Sequence, residues 1–241
     1  MSASTIRFVL NGDIVETDVV DPTRTVLQFL REDLALKGTK EGCAEGDCGA
    51  CTIVVVEVDR RGEDIELKTV NACIQFLATI DGKELITVEG LLGDNGDLHP
   101  VQQAMVNEHG SQCGFCTPGF VMSLFALYRA NPEPSRQQID DALAGNLCRC
   151  TGYRPIIAAA RSMSSMTDDW TPREHLDALR SVARQDDFET EHKGRRFFAP
   201  RSIDSLAEIY ARHPDATLLA GGTDVGLWVT KHYRELETII Y

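Results

Sequence analysis

The fold is decided by one cysteine- and glycine-rich stretch, CAEGDCGAC at residues 43–51. Its cysteines follow the spacing C-x4-C-x2-C, and a fourth, Cys73, comes after 21 further residues. Glycine tolerates positive φ angles and close backbone approach, so Gly46 and Gly49 let the chain curl tightly. The stretch therefore predicts a loop that wraps four thiolates, and the amide N–H groups between them, around a metal group.

This spacing is that of the plant-type ferredoxins, which hold a [2Fe–2S] cluster. The predicted ligands are all cysteines: Cys43, Cys48, Cys51 and Cys73. A structural zinc site usually has paired short spacings, and the four-residue gap fits that pattern less well. Zinc and unliganded structural cysteines remain as alternatives, and the spacing favours the cluster.

A second set of four cysteines has a different spacing, C-x2-C followed after 31 residues by C-x-C. The set comprises Cys113, Cys116, Cys148 and Cys150. On spacing alone zinc is a stronger alternative here than in the first set. The C-x-C pair is unusual for a zinc ribbon, and the neighbouring first set favours a second cluster. A helix N-terminus at Thr117-Pro118 would also stabilise thiolates.

Composition narrows the class of protein. The 241 residues are 43% hydrophobic and 25% charged, which is the ordinary globular range. A net charge of −13 argues against a nucleic-acid partner, because phosphate binding needs a basic face. No apolar run approaches a membrane-spanning length, and the start of the chain lacks signal-peptide features, which predicts a reducing cytoplasm. Cysteines in that compartment are more often ligands than disulfides.

Periodicity predicts an α+β domain at residues 1–90, a helical domain at 91–165, a linker at 166–194 and the beginning of a third domain at 195–241. The first domain is predicted to begin with a hairpin at 6–20 that turns at Asn11-Gly12. A helix is predicted from a cap at Asp21-Pro22 to Gly38, followed by strands at 52–58, 65–70 and 85–88.

The second domain is predicted to contain four helices. They are a helix at 100–109, a helix capped by Thr117-Pro118, a helix from the Ser135 cap to Leu143, and a helix at 156–163. A helical piece is expected around 174–182, then a helix at 205–212 and a strand at 217–219.

Three motifs together resemble the xanthine dehydrogenase/oxidase family of molybdenum hydroxylases. They are the stretch at 43–51, QCGFCTPG at 112–119 and CRCTGY at 148–153, and the resemblance covers about residues 5–165. The tail LLAGGTD at 218–224 is similar to the first nucleotide-binding loop of that family's FAD domain. The resemblance implies a β-grasp ferredoxin-like [2Fe–2S] domain, a four-helix [2Fe–2S] domain and the start of an α+β FAD-binding domain.

The resemblance also implies a role for each set of residues. The first cysteine set would hold a cluster nearer the flavin, and the second a cluster nearer molybdenum. Gln112 would contact molybdopterin across a subunit interface. The FAD pyrophosphate would lie against Ala220, Gly221, Gly222, Thr223 and Asp224. Because the family's FAD domain continues well past Tyr241, most of the flavin site is expected to be missing from these residues.

No catalytic residue is expected in this chain. The six histidines, His99, His109, His175, His192, His213 and His232, are interpreted as surface or packing residues. The resemblance implies a molybdopterin-binding large subunit as partner, an (αβ)2 heterotetramer and NAD+ as electron acceptor. The expected function is the electron relay of a xanthine dehydrogenase that converts hypoxanthine or xanthine to urate. The same relay in an aldehyde oxidase or another heterocycle hydroxylase is the alternative, and a zinc-stabilised scaffold is a remote one.

Overall fold

The first sheet organises the N-terminal part of the chain in a computed structural model that describes residues 5–19, 21–93 and 95–241. The expectations for residues 1–4 and for Val20 therefore lie outside the described residues. The strands are β1 (Thr5–Leu10), β2 (Asp13–Asp18), β3 (Thr52–Val58), β4 (Ile65–Asn71) and β5 (Glu84–Ile86). Their order is β2-β1-β5-β3-β4, with β1 and β5 parallel and the other neighbours antiparallel. This is the β-grasp arrangement that the family resemblance implies.

Strand β3 explains how two domains share one sheet. Its Ile53 and Val55 belong to the core beneath helix α1 (Val26–Gln28), whereas Val54 and Val56 belong to the core of the helical domain. Side chains alternate between the two faces of a strand, so a strand buried on both faces needs a continuous apolar run. The run from Ile53 to Val56 meets that requirement.

The start of the first helix was predicted in the wrong place. Asp21 accepts hydrogen bonds from the N–H and the hydroxyl of Thr23, which makes a separate turn. The helix begins four residues later, where Thr25 and Gln28 form a capping box. It then continues as a π-helical turn over Phe29–Asp33 and ends before Gly38.

The helical domain contains the four predicted helices. They are α2 (Pro100–Asn107), α3 (Thr117–Ala130), α4 (Arg136–Leu143) and α5 (Arg154–Ser162). Ser135 caps α4 as predicted, in a capping box with Gln138. The strand predicted at 85–88 ends at Ile86, and a 3-10 turn at Val88–Leu91 leads into the helices.

The segment predicted as a linker, residues 166–194, carries structure of its own. It contains helix α6 (Pro172–Val182), which includes the helical piece predicted around 174–182, and strand β6 (Phe188–His192). The segment also binds the earlier domains. The His175 Nδ1 lies 2.7 Å from the buried Glu84 carboxylate, and Arg184 Nε lies 2.5 Å from Asp81. Polar sequence here reflects ion pairs to distant residues, not a free tether.

The third part has a four-stranded sheet in the order β6-β7-β9-β8. Its other strands are β7 (Arg195–Ala199), β8 (Thr217–Leu218) and β9 (Thr238–Ile240), and its helices are α7 (Ile203–Arg212) and α8 (Val225–Thr230). Strand β6 pairs with β7 along its full length, and Phe188 and Thr190 are buried. Among the helices of the described ranges, none combines the length and apolar character needed to cross a membrane.

His99 makes stability depend on pH. Its Nδ1 accepts the N–H of Val101 and caps α2, and its Nε2 lies 2.7 Å from the Asp168 carboxylate, which also pairs with Arg129. Burial lowers the pKa of His99 below its ordinary 6.5, against the attraction of Asp168. A proton on Nδ1 would remove the cap, so this stabilisation is complete above pH 6.5 and is lost as the pH falls below it.

We expect wild type to lose about 1 kcal/mol more stability than His99→Gln between pH 7 and pH 5, the usual size of a helix-cap contribution. Thermal unfolding measured across this range checks the difference. His109→Gln, which changes an exposed histidine of the same domain, is the matched control and should follow wild type. Identical pH profiles for wild type and His99→Gln would contradict the assignment.

Candidate metal centres and the adjoining glycine loop

The first cysteine loop curls as its glycines predict. Gly46 and Gly49 have φ angles of +77° and +68°. The Cys43 sulfur lies 3.4 Å from the N–H nitrogen of Asp47 and 3.3 Å from that of Cys48, and both groups donate to it. A Cβ added at Gly42 would lie 2.8 Å from the Cys48 sulfur. The backbone therefore surrounds the sulfurs closely enough to exclude larger side chains.

The four thiols of the first set form two interacting pairs. Cys43 interacts with Cys48, and Cys51 with Cys73. The Cys73 thiol lowers the pKa of Cys51, whose burial opposes ionisation, and the pKa of Cys73 is raised in return. Burial also opposes ionisation of Cys43, but backbone N–H groups outweigh it and lower its pKa. One thiol of each pair is thus prepared to become a thiolate.

The second set also forms two pairs, Cys113 with Cys150 and Cys116 with Cys148. Burial, with the neighbouring Cys148, raises the pKa of Cys116 to about 12. Burial opposes ionisation of Cys148 too, but the Thr151 hydroxyl, 3.1 Å from its sulfur, helps to lower its pKa. The paired geometry fits a two-iron cluster, in which each iron takes two cysteines.

Neither set converges on a single point. In the parts of the chain that the structure describes, no group of three or more His, Cys, Asp or Glu side chains is gathered as a site for one metal ion. All eight cysteines are free thiols. The cysteines expected as ligands are therefore brought together as four pairs, two in each domain.

The two cysteine loops touch directly. The Leu147 N–H donates to the Cys48 carbonyl at 2.9 Å, and the Asn146 amide donates to the Gly49 carbonyl at 3.0 Å. Gly119 on α3 lies so close that an added Cβ would sit 2.0 Å from the Gly49 oxygen. Each cysteine set therefore has the backbone of the other within contact distance.

The glycine loop predicted to face a flavin lies close to the residue after Cys73, because a Cβ added at Gly222 would be 3.4 Å from the Ile74 carbonyl oxygen. It connects β8 to α8, and Gly221 and Gly222 have φ angles of +100° and +142°. An added Cβ at Gly221 meets no atom within 4 Å, and Ala220, Gly221, Thr223 and Asp224 are exposed. Open backbone of this kind can offer N–H groups to a phosphate, so the loop fits the pyrophosphate of a dinucleotide.

Two further contacts join helix α8, which follows this glycine loop, to the first cysteine set. A Cβ added at Gly226 would lie 2.6 Å from the carbonyl oxygen of Ile74, the residue after Cys73. Beyond α8, the Lys231 ammonium donates to the Cys43 carbonyl at 2.6 Å and pairs with Glu45 at 3.4 Å. Sequence reasoning missed Lys231, because its partners lie almost 190 positions away in the chain.

Part of the second cysteine set lies at the protein surface. Cys113 and Cys150 are exposed, and so is Gln112, the residue expected to contact molybdopterin. Phe115, between the two cysteines of the C-x2-C pair, is 48% exposed. The second cysteine set therefore reaches the surface beside an exposed aromatic ring.

We expect Lys231→Met to weaken the contact between α8 and the first cysteine loop by about 1 kcal/mol, a modest value because the ammonium is partly exposed. Hydrogen exchange of the backbone amides at 220–231 should become faster. Lys193→Met, which removes an exposed lysine from the turn between β6 and β7, is the matched control. Unchanged exchange in Lys231→Met would refute the predicted link.

Three family profiles match the chain in succession. The profile described as "2Fe-2S iron-sulfur cluster binding domain" matches residues 8–77, and "[2Fe-2S] binding domain" matches 87–161. The profile "FAD binding domain in molybdopterin dehydrogenase" matches 188–241. These are the regions that contain the first cysteine set, the second cysteine set and the glycine loop.

Curated relatives and solved structures agree with this order. The chain is 39% identical over 267 residues to the xanthine dehydrogenase of Emericella nidulans, covering 91% of this chain and 19% of the relative. It is 49% identical over 162 residues to aldehyde oxidase 1 of Cavia porcellus, covering 67% of this chain and 12% of that one. The chain thus spans a fifth or less of the length of these curated relatives.

A solved structure has a chain that aligns with this one over almost its whole length. In quinoline 2-oxidoreductase from Pseudomonas putida 86, a chain aligns with a TM-score of 0.57 and 33% identity, covering 73% of this chain and 96% of that chain. The paired thiols, the contact between the two loops and the succession of matched regions lead to one conclusion. The chain belongs to the xanthine dehydrogenase family of molybdenum hydroxylases and corresponds to the iron–sulfur and FAD-binding region of that family.

Proposed function

We propose that this chain is the electron-transfer part of a xanthine dehydrogenase, which oxidises hypoxanthine and xanthine to urate. The observation that carries the proposal is the unbroken contact from the second cysteine loop, through the first, to the glycine loop. When bound, the clusters would pass single electrons from molybdenum on a partner chain, and the flavin would collect two of them for hydride transfer to NAD+. Substrate chemistry itself is left to that partner.

The chain's own residues would hold these groups and keep them in order. One cluster would be held by Cys43, Cys48, Cys51 and Cys73, and the other by Cys113, Cys116, Cys148 and Cys150. Backbone N–H groups that donate to sulfur, as at Cys43, stabilise thiolate and tune a cluster's reduction potential. The flavin pyrophosphate would lie along Ala220, Gly221, Gly222, Thr223 and Asp224.

The exposed rim around Cys113 supports a partner at that end. Gln112 would contact the molybdopterin of a large subunit there, and Phe115 would be covered by it. An (αβ)2 heterotetramer working in the cytoplasm completes the proposal. Cysteines that serve as cluster ligands and not as disulfides suit such a reducing compartment.

The test is to purify the chain with its natural partners and to measure metal, flavin and turnover. We expect about four iron and four acid-labile sulfide per chain, bound FAD, and reduction of NAD+ by hypoxanthine or xanthine. If zinc were the only metal and the protein showed no charge-transfer absorption in the visible range, the electron-relay function would be refuted in favour of a structural scaffold. If iron were present but purines were not turned over, the assignment of hypoxanthine and xanthine as substrates would be refuted.

A second candidate keeps the relay and changes the substrate to an aldehyde. It is favoured by the 49% identity to aldehyde oxidase 1, which covers 67% of the chain. Turnover of aromatic aldehydes with O2 as acceptor, in the same preparation and without purine turnover, would select it. The xanthine dehydrogenase reading is preferred because its similarity covers 91% of the chain.

A further inference from the structure

One buried amide connects the two cysteine loops. Asn146 is 3% exposed and lies two residues before Cys148. Its Nδ2 donates to the Gly49 carbonyl at 3.0 Å and to the Thr52 hydroxyl at 3.2 Å, and its Oδ1 accepts from the Ser123 hydroxyl at 2.6 Å. Its side chain therefore has a partner for each of its two polar atoms.

The three partners belong to segments that carry cysteines of both sets. Gly49 lies between Cys48 and Cys51, and Thr52 directly follows Cys51. Ser123 is on α3, the helix that begins immediately after Cys116. A side chain with two χ angles and fixed partners at both polar atoms holds its neighbours in one geometry.

We propose that Asn146 is a positioning residue that sets the distance and orientation between the two clusters. The inference rests on the proposed electron-transfer role. Electron transfer between two centres depends steeply on their separation, so a residue that fixes two loops against each other controls the rate without touching either cluster. The neighbouring hydrogen bond from Leu147 to Cys48 joins only backbone atoms. Asn146 is therefore the residue at this junction whose side-chain contacts a substitution can change.

Substitution can separate positioning from folding. Asn146→Leu keeps the volume and removes all three hydrogen bonds. The Gly49 carbonyl still accepts from the Thr52 hydroxyl at 2.8 Å, so it is not left without a donor. Thr52→Val is the matched control, because it removes the Thr52 hydroxyl as a partner of both Asn146 and Gly49 but leaves the bond from Asn146 to the Gly49 carbonyl in place. Ser123→Ala removes only the anchor at Oδ1 and serves if Asn146→Leu does not fold.

The experiment uses the full chain as isolated with its partners, reduced by a one-electron chemical reductant. We measure iron content, the magnetic coupling between the reduced clusters by electron paramagnetic resonance, and the rate of electron redistribution between them after rapid partial reduction. In Asn146→Leu we expect full iron content, weaker magnetic coupling and redistribution slowed severalfold, because the rate of electron tunnelling falls exponentially with the separation of the two centres. Thr52→Val should stay within about twofold of wild type, and Ser123→Ala should fall between them.

Two outcomes separate this inference from the proposed function. The positioning role would be overturned, and the relay left intact, if Asn146→Leu kept the magnetic coupling and the redistribution rate of wild type. If Asn146→Leu does not fold, the same result in Ser123→Ala would overturn it. Two clusters that show no electron exchange in wild type would overturn the relay itself, and the positioning role with it. Because the reductant is chemical, neither outcome depends on the identity of the substrate.

Discussion

Replacement of Cys148 by alanine is expected to lower the iron content from about four to about two atoms per chain, because a [2Fe–2S] cluster requires four thiolates. Cys148 is buried, and its lowered pKa marks it as a ready thiolate. The signal of the helical-domain cluster should disappear, and electron flow from the partner to NAD+ should be abolished. Metal analysis and electron paramagnetic resonance check both expectations.

The control for this prediction is Thr151→Val. It removes the hydroxyl that lies 3.1 Å from the Cys148 sulfur and leaves all eight cysteines in place. Iron should stay near four atoms per chain, and only the reduction potential of one cluster should change. A Cys148→Ala protein that kept both clusters would disprove the ligand assignment, and zinc released in place of iron would support a structural metal site.

Gly119→Ala is expected to destabilise the protein although it places a better helix former in α3. In an exposed helix the change would stabilise by about 1 kcal/mol. Here the new Cβ would lie 2.0 Å from the Gly49 oxygen, 3.1 Å from its carbonyl carbon and 3.3 Å from the Ala50 Cα. All three are backbone atoms that cannot rotate away, so the helix and the first cysteine loop must separate. Overpacking of this kind costs about 1–3 kcal/mol.

Gly145→Ala is the matched control for Gly119→Ala. It also lies at the junction of the two loops, has no positive φ, and its added Cβ meets nothing within 4 Å. Its effect should stay within about 0.5 kcal/mol. Thermal unfolding of the cluster-loaded protein measures both variants, with a shift of roughly 2–4 °C for each kcal/mol in a chain of this size. Equal midpoints for the two variants would show that the junction can relax.

Local patterns predicted most of the regular elements. The turn at Asn11-Gly12 has φ angles of 51° and 90°, which only such residues adopt easily, and the hairpin follows from it. The Ser135 cap and the strand Thr52–Val58 were also predicted at their observed positions. Each of these local structures depends only on residues a few positions apart, so the sequence pattern is enough to predict it.

Predictions failed where a distant partner decided the structure. Asp21 was expected to cap a helix, but its carboxylate is taken by Thr23 and Arg195, and the cap moves to Thr25. The interpretation of the histidines as surface or packing residues also missed the contact of the His175 ring nitrogen with the Glu84 carboxylate. Residues 166–194 were predicted as a linker with a helical piece near 174–182, and the structure adds contacts of this segment with distant residues, such as that of Arg184 with Asp81.

The sequence by itself determined the chemistry of this protein, because cysteine spacing and the glycines between the cysteines are local constraints that any fold must respect. The tertiary structure alone decided how the sites connect. The amide of Asn146 meets a carbonyl 97 positions away, and Lys231 reaches a carbonyl 188 positions away. A side chain with such partners looks like any other polar residue in the sequence. Its role exists only once folding has brought the two cysteine loops and the glycine loop into contact.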